Sequence, residues 1–227
     1  MSIKHKIAIV ILKIITSLIC RIDDDQLKRV PEKGPLIMVV NHINIIDIPM
    51  LLVRLYPRHV TALVKIEAWD NPFFRILLNM WEAVPVRRNE TDLTAMRQSV
   101  QTIKKGWILG VSPEGTRSGD GSLLPAHAGM VLLALQTGAA LIPVGYYGHE
   151  KIWANLRWLR RSDFHFVVGR PFHLDPHGEK VTHQVRQQML DEIMYQLAAL
   201  LPPANRGAYS TLEAATEEYL VFLPEPG

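Results

Sequence analysis

Short apolar runs recur along the chain at Leu36–Val40, Val60–Val64, Ala83–Val86, Trp107–Val111, Leu141–Tyr146 and Phe164–Val168. Each is strand length and is bounded by glycine, proline or polar residues, so each reads as a strand. Between them lie segments with helical spacing: Pro49–Leu55, Asn71–Trp81, Thr91–Lys105, Ala126–Gln136 and Glu179–Leu200. Their punctuation agrees with this. Pro72 suits the first helical position, Gly106 and Gly138 suit helix ends, and Pro57 and Pro202-Pro203 are stops. Strands alternating with helices predict an α/β domain with a mixed, largely parallel sheet flanked by helices. Residues 31–203 form this domain, 1–30 an N-terminal segment, and 204–227, rich in acid and proline, a peripheral helix with a loose end.

The N-terminal segment has a different pattern. Ile3, Ile7, Ile11, Ile14, Ile15 and Leu18 follow helical spacing, while Lys6, Lys13 and Ser17 share another face. The apolar stretch from Ile7 to Cys20 is shorter than the ~20 residues a spanning helix needs, and Lys13 interrupts it. No A-x-A cleavage site follows. The expectation is an apolar helix lying in one leaflet, with Lys4, Lys6 and Arg21 meeting anionic headgroups; the alternative is a core helix. A second apolar rim is expected at Trp153 and Trp158 with Arg157, Arg160 and Arg161, since tryptophan sits well at headgroup depth. The chain is thus read as membrane-associated and monotopic, on the cytoplasmic face of an inner membrane.

Composition adds limits. The chain has 227 residues, 48% of them hydrophobic, and a formal net charge of +3. That charge is too small to argue for nucleic acid and agrees with an anionic membrane surface. A single cysteine, Cys20, excludes an internal disulfide, and it reads as a buried small hydrophobe. The histidines at 149, 165, 173, 177 and 183 lack metal-ligand spacing, and there is no P-loop or dinucleotide fingerprint. No metal or cofactor is implied.

Two segments carry candidate chemistry, each directly after an apolar run. The first is Asn41-His42-Ile43-Asn44-Ile45-Ile46-Asp47. Five helical steps leave two side chains roughly 140° apart, and five strand steps put them on opposite faces. His42 and Asp47 therefore meet only across a break: His42 at the strand exit, Asn44 as N-cap, Asp47 in the first helical turn. Asp47 would then accept from one imidazole nitrogen and leave the other free as a base. The bland alternative makes Asn44 and Asp47 a capping pair. The second segment is Ser112-Pro113-Glu114-Gly115-Thr116-Arg117-Ser118. Gly115 permits close approach, and Arg117 can grip a phosphate with two parallel hydrogen bonds. The run Gly110-Val111-Ser112-Pro113-Glu114 only begins like the nucleophile elbow G-x-S-x-G, and Pro113 has no N–H to give an oxyanion.

His42 with Asp47 resembles the His-x4-Asp block of the glycerolipid acyltransferases, the family containing lysophosphatidate acyltransferases. Pro113 to Ser118 resembles that family's P-E-G-T-R-S block. Ala83 to Arg88 resembles the segment ending in an acceptor-binding arginine, matched by Arg88. Leu141-Ile142-Pro143-Val144 resembles the closing apolar-proline block. The likeness runs from about Val39 to Gly148, with a looser echo at Gly169-Arg170-Pro171.

The resemblance implies acyl transfer from a thioester, acyl-CoA or acyl carrier protein, to a lysophospholipid hydroxyl. The best match is 1-acyl-glycerol-3-phosphate giving phosphatidate, with no cofactor and no covalent enzyme intermediate. His42 would be the base and Asp47 its orienter. Arg88, Glu114, Gly115, Thr116 and Arg117 would hold the acceptor, with Lys65 and His127 nearby. Three departures bear on the acceptor. Ser112 replaces an aromatic residue, His127 replaces a lysine, and Arg87 stands where an acid is common. Two alternatives are the same chemistry on another lysolipid, and a lipid-binding protein without turnover. Phe73, Phe74, Leu77, Leu78, Met80 and Trp81 read as core, with acyl-chain lining as the other option.

Overall fold

A computed structural model describes residues 3–87 and 92–224. Its strands are β1 (Cys20–Asp23), β2 (Leu36–Val40), β3 (Val60–Lys65), β4 (Val84–Val86), β5 (Ile108–Val111), β6 (Ala140–Tyr147), β7 (Ser162–Val168), β8 (Phe172–Leu174) and β9 (Leu220–Phe222). Its helices are α1 (Ile3–Ile19), α2 (Asp47–Leu55), α3 (Pro72–Met80), α4 (Leu93–Lys104), α5 (Gly129–Thr137), α6 (Ile152–Arg157) and α7 (His183–Ala199). The strands form one mixed sheet in the order β1-β7-β6-β2-β5-β3-β4, and β8 and β9 extend it from β6. Neighbours from β6 through β2, β5 and β3 to β4 are parallel. β7 runs antiparallel to β6.

β2 shows why its sequence is apolar without alternation. Leu36, Met38 and Val40 face one core with Met50 and Val53 of α2, while Ile37 and Val39 face a second core with Met189 and Ile193 of α7. A central parallel strand covered on both faces must be apolar at every position.

The helices start and stop by local chemistry. Asn71 caps α3, its side chain accepting from the N–H groups of Phe73 and Phe74, and Pro72 is the first helical residue. Asp92 caps α4 through Ala95 N–H, and Thr182 caps α7 through Val185 N–H. α5 ends on Gly138 at φ 63°, a left-handed position open to glycine.

Both ends of the chain depart from expectation. As far as residue 224 the tail is packed, with β9 paired to β8 and the Glu192 carboxylate accepting from the N–H groups of Glu218 and Tyr219; residues 225–227 of the expected loose end lie outside the described residues. The first thirty residues contribute β1, which pairs in parallel with β7. Cys20 is buried there, and burial pushes its thiol up to about 11, as suits an inert packing residue.

α1 is inverted relative to a helix of a water-soluble surface. Ile9 and Thr16 face the protein, while Ile7, Val10, Ile11, Ile14, Ile15 and Leu18 face outward. The inward polar edge is held by Arg54, which donates to Thr16 Oγ1 (3.2 Å) and Ser17 Oγ (2.7 Å). Among the described residues no helix is long and apolar enough to cross a membrane.

Candidate active site

The C-terminal ends of the parallel strands converge on one place. His42 follows β2, Lys65 ends β3, Ser112 to Arg117 follow β5, and His149 follows β6. Ligands in open α/β sheets bind outside this edge, where loops diverge and backbone dipoles are unspent.

The loop from β2 to α2 is shaped by Asp47. Its Oδ2 accepts from the N–H groups of Ile43 (2.7 Å) and Asn44 (2.8 Å) and lies 2.9 Å from His42 Nδ1. The two side chains therefore meet across the break, and one carboxylate both gathers the turn's amides and holds the imidazole. The expected N-cap does not form. The cap position is Ile46, and Asn44 instead accepts from Ile46 N–H at 3.1 Å, an Asx turn. Asp47 takes the Ile43 and Asn44 amides, which precede the helix, and α2 begins at Asp47 itself.

Asp47 is fully buried, and His42 is largely so. Burial pushes the Asp47 carboxyl up, but the hydrogen bonds from His149 and then His42 outweigh it, and the net position is below the usual carboxylate range. His149 was not singled out from the sequence. Its Nε2 lies 2.7 Å from Asp47 Oδ1, completely buried. The available signal was a polar residue after an apolar strand, as at His42; what the sequence lacked was that β6 lies beside β2.

Glu114 corrects another expectation. Rather than facing an acceptor, it is buried and spent on backbone: Oε1 accepts from His42 N–H and Oε2 from Leu124 N–H, each at 2.9 Å. Burial pushes its carboxyl up to about 7, against the lowering effect of those two bonds, and the nearby Asp47 charge adds to the rise. Two further bonds zip the loops together, from Ser118 N–H to His42 O and from Gly119 N–H to Ile43 O. Gly115 N–H donates to Ser112 O, so these three amides are engaged within the protein rather than offered to an oxyanion.

Around this core lies a cavity of about 1240 Å³, predominantly apolar, with His42, Lys65, Gly115, Arg117 and His127 among its lining. Thr116 lines it too, and Thr116 and Arg117 are exposed. Gly115 sits at φ 65°, a conformation that favours glycine, and an added Cβ would crowd the His127 ring at 3.1 Å. Leu77, Leu78 and Trp81 are buried in the core and also line the cavity with Phe74, whereas Phe73 is exposed. Ser112 also lines the cavity, and its Oγ is buried with no hydrogen-bond partner. Arg88 lies outside the described residues.

The arrangement can do base chemistry: an imidazole with one nitrogen held by a buried carboxylate, at the wall of an apolar cavity that Arg117 also lines.

Comparison with known proteins agrees with this geometry. The family described as Acyltransferase matches residues 21–147. A 1-acyl-sn-glycerol-3-phosphate acyltransferase of Bacillus subtilis is 24% identical over 162 residues, covering 71% of this chain and 79% of the relative. One from Cocos nucifera is 31% identical over 156 residues, covering 66% of this chain and 50% of the relative. In fold, the crystal structure of the 1-acyl-sn-glycerophosphate acyltransferase PlsC from Thermotoga maritima superposes with a TM-score of 0.65 at 22% identity, over 86% of this chain and 78% of that one. The chain spans about half the length of several other relatives, including one of 48% coverage from Borreliella burgdorferi.

Proposed function

Since the chain belongs to the Acyltransferase family, we propose that it moves a fatty acyl group from acyl-CoA or acyl carrier protein to the free hydroxyl of a lysophospholipid, 1-acyl-glycerol-3-phosphate giving phosphatidate. The observation that carries this is the 2.9 Å contact of His42 Nδ1 with Asp47 at the wall of the large apolar cavity. Asp47 accepts a hydrogen bond from Nδ1–H and leaves Nε2 as base. Nε2 takes the acceptor's hydroxyl proton, and the oxygen bonds to the thioester carbonyl carbon. The C–S bond then breaks, and the thiolate leaves with the proton from His42. No bond forms to the protein. Arg117 and Lys65 hold the acceptor phosphate in this reading, supported by their both lining the cavity, with His127 beside the Gly115 turn.

The purified chain, given palmitoyl-CoA or its carrier-protein counterpart with lysophosphatidate, should release one thiol for each phosphatidate formed. Thiol release that ignores the acceptor, or none at all, would defeat the reading. A second reading keeps the chemistry and changes the lysolipid, and the unpartnered Ser112 Oγ favours it. Higher kcat/KM for another acceptor in a panel would select it.

The proposal includes a membrane. The outward apolar stripe of α1 is continuous with the turn after α6, because Arg161 donates to Ser17 O (2.7 Å) and to Cys20 O. On that turn Trp158 is 75% and Leu159 93% exposed, with Arg160 beside them. This surface seats the protein in one leaflet of an anionic bilayer, on the cytoplasmic face of an inner membrane, with lipid entering laterally. Ile11→Glu and Trp158→Glu should each weaken flotation with phosphatidylglycerol vesicles by about tenfold or more, since burying such a side chain contributes roughly 1.5–3 kcal/mol. Unchanged flotation in both would sink the assignment.

A further inference from the structure

The Asp47 carboxylate is shared between two imidazoles. Oδ2 serves His42 and two backbone amides, whereas Oδ1 is met, among the described residues, by His149 alone. His149 is aimed there by its own surroundings. Gly148, at φ 96°, turns the chain inward after β6, and a side chain at that position would crowd Asp163 O at 3.0 Å. The His149 ring stacks on Phe164 with centroids 4.0 Å apart and planes 14° apart. Its carbonyl accepts from Ile152 N–H (3.0 Å) and from Asn44 Nδ2 (3.4 Å), the latter from the His42 loop itself. Asn41, next to His42, makes a two-way pair with Tyr146, donating to its carbonyl and accepting from its N–H. β6 and the His42 loop are thus joined through the Asn41 and Asn44 side chains, and the Asp47–His149 contact completes the join.

His149 Nδ1 is buried with no partner. A single proton on the ring resolves this most cheaply. An ionised Asp47 requires a donor at Nε2, and a bare Nδ1 lone pair costs less than an unpaired buried N–H⁺.

We propose that His149 is a positioning residue for the transfer reaction: as a neutral imidazole it donates Nε2–H to Asp47 Oδ1, fixing the carboxylate's rotation so that Oδ2 faces His42, and drawing off part of the charge His42 would otherwise feel. This rests on the function proposed above. Two effects follow. Without His149 the carboxylate turns toward other donors and His42 loses its orientation. The charge left on Asp47 is then felt by His42 more fully, so the imidazolium is stabilised and the base works only at higher pH.

The comparison is His149→Phe against His149→Gln. Phenylalanine keeps the stacking and removes the donor; glutamine returns an amide N–H. In the phenylalanine chain, kcat should fall by ~10–100-fold, part of the factor a positioned base supplies. KM for the lysolipid should stay within about twofold, and the acid limb of kcat/KM should move to higher pH. The glutamine chain should recover most of kcat and place the limb near that of the unsubstituted protein. The other titratable groups facing this site are unchanged in both: Glu114 from the loop after β5, Lys65 from β3, Arg117, His127 before α5, and Tyr146 on β6. If the phenylalanine chain does not fold, His149→Met, also without a donor, takes its place.

A readout independent of turnover is the downfield proton NMR spectrum. The unsubstituted protein should show two imidazole N–H signals, with His149→Phe removing one and His42→Ala the other. Equal kcat and unmoved limbs in all chains would overturn the proposal, as would glutamine no better than phenylalanine in folded proteins, or the absence of a signal assignable to His149. Absence of transfer by the unsubstituted protein, with that signal present, would instead defeat the assigned reaction.

Discussion

His42→Ala should lower the rate of acyl transfer by ~10²–10⁴-fold, the usual contribution of a positioned general base. The loss belongs to chemistry rather than to binding, because the side chain reaches the cavity while its backbone holds the loops. The His42 N–H bond to Glu114 and the Ser118 bond to His42 O both survive the substitution. Melting temperature and KM for the lysolipid should therefore move little, and kcat and kcat/KM should fall together, the signature of an interaction made in the transition state. A folded alanine chain with full turnover would leave the cavity without its assigned base.

Asp47→Asn should cost both activity and stability. The amide keeps one acceptor oxygen but presents N–H₂ to donors that now have no acceptor: either His149 Nε2, or the Ile43 and Asn44 amides with His42. Breaking a buried charged network in this way costs about 3–5 kcal/mol, which in a chain of this size lowers Tm by roughly 10 °C. Turnover should fall by at least as much as in His42→Ala, because the imidazole loses its tautomer and its orientation together.

The pH dependence has a definite sign. The folded Asp47 carboxyl sits below its unfolded value of 3.8, so its contribution is fully present above that value and is lost as pH falls through the folded one. Acid should therefore lower the Tm of the unsubstituted protein more steeply than that of Asp47→Asn. Glu114 works the other way. With a folded value of about 7 against 4.5, its contribution is greatest below 4.5 and declines as pH rises to about 7. Calorimetry from pH 3 to 8 on both chains separates the two trends, and parallel curves would refute the assignment for Asp47.

Local pattern located the elements that depend on near neighbours. The central strands need apolar residues on both faces, and the helices carry their caps beside them, so Leu36–Val40 and the start at Pro72 were legible from the chain. β1, β8 and β9 were not, because they form by pairing with β7, with β6 and with each other at the margins of the sheet. α6 escaped because six residues hold too little periodicity to read.

At the site, the sequence by itself determined which chemistry was possible. Spacing required that His42 and Asp47 meet across a break, and the break is there. What only the tertiary structure decided was how the polar groups are shared out. Glu114 became a buried tie between loops instead of a contact for substrate, and Asn44 closes an Asx turn on Ile46 instead of capping α2. His149, 102 residues from Asp47, became the second imidazole on the carboxylate. The physical reason is that a buried carboxylate takes its donors from whatever the sheet order brings beside it, and strand order is a property of the packed chain, absent from any stretch of it.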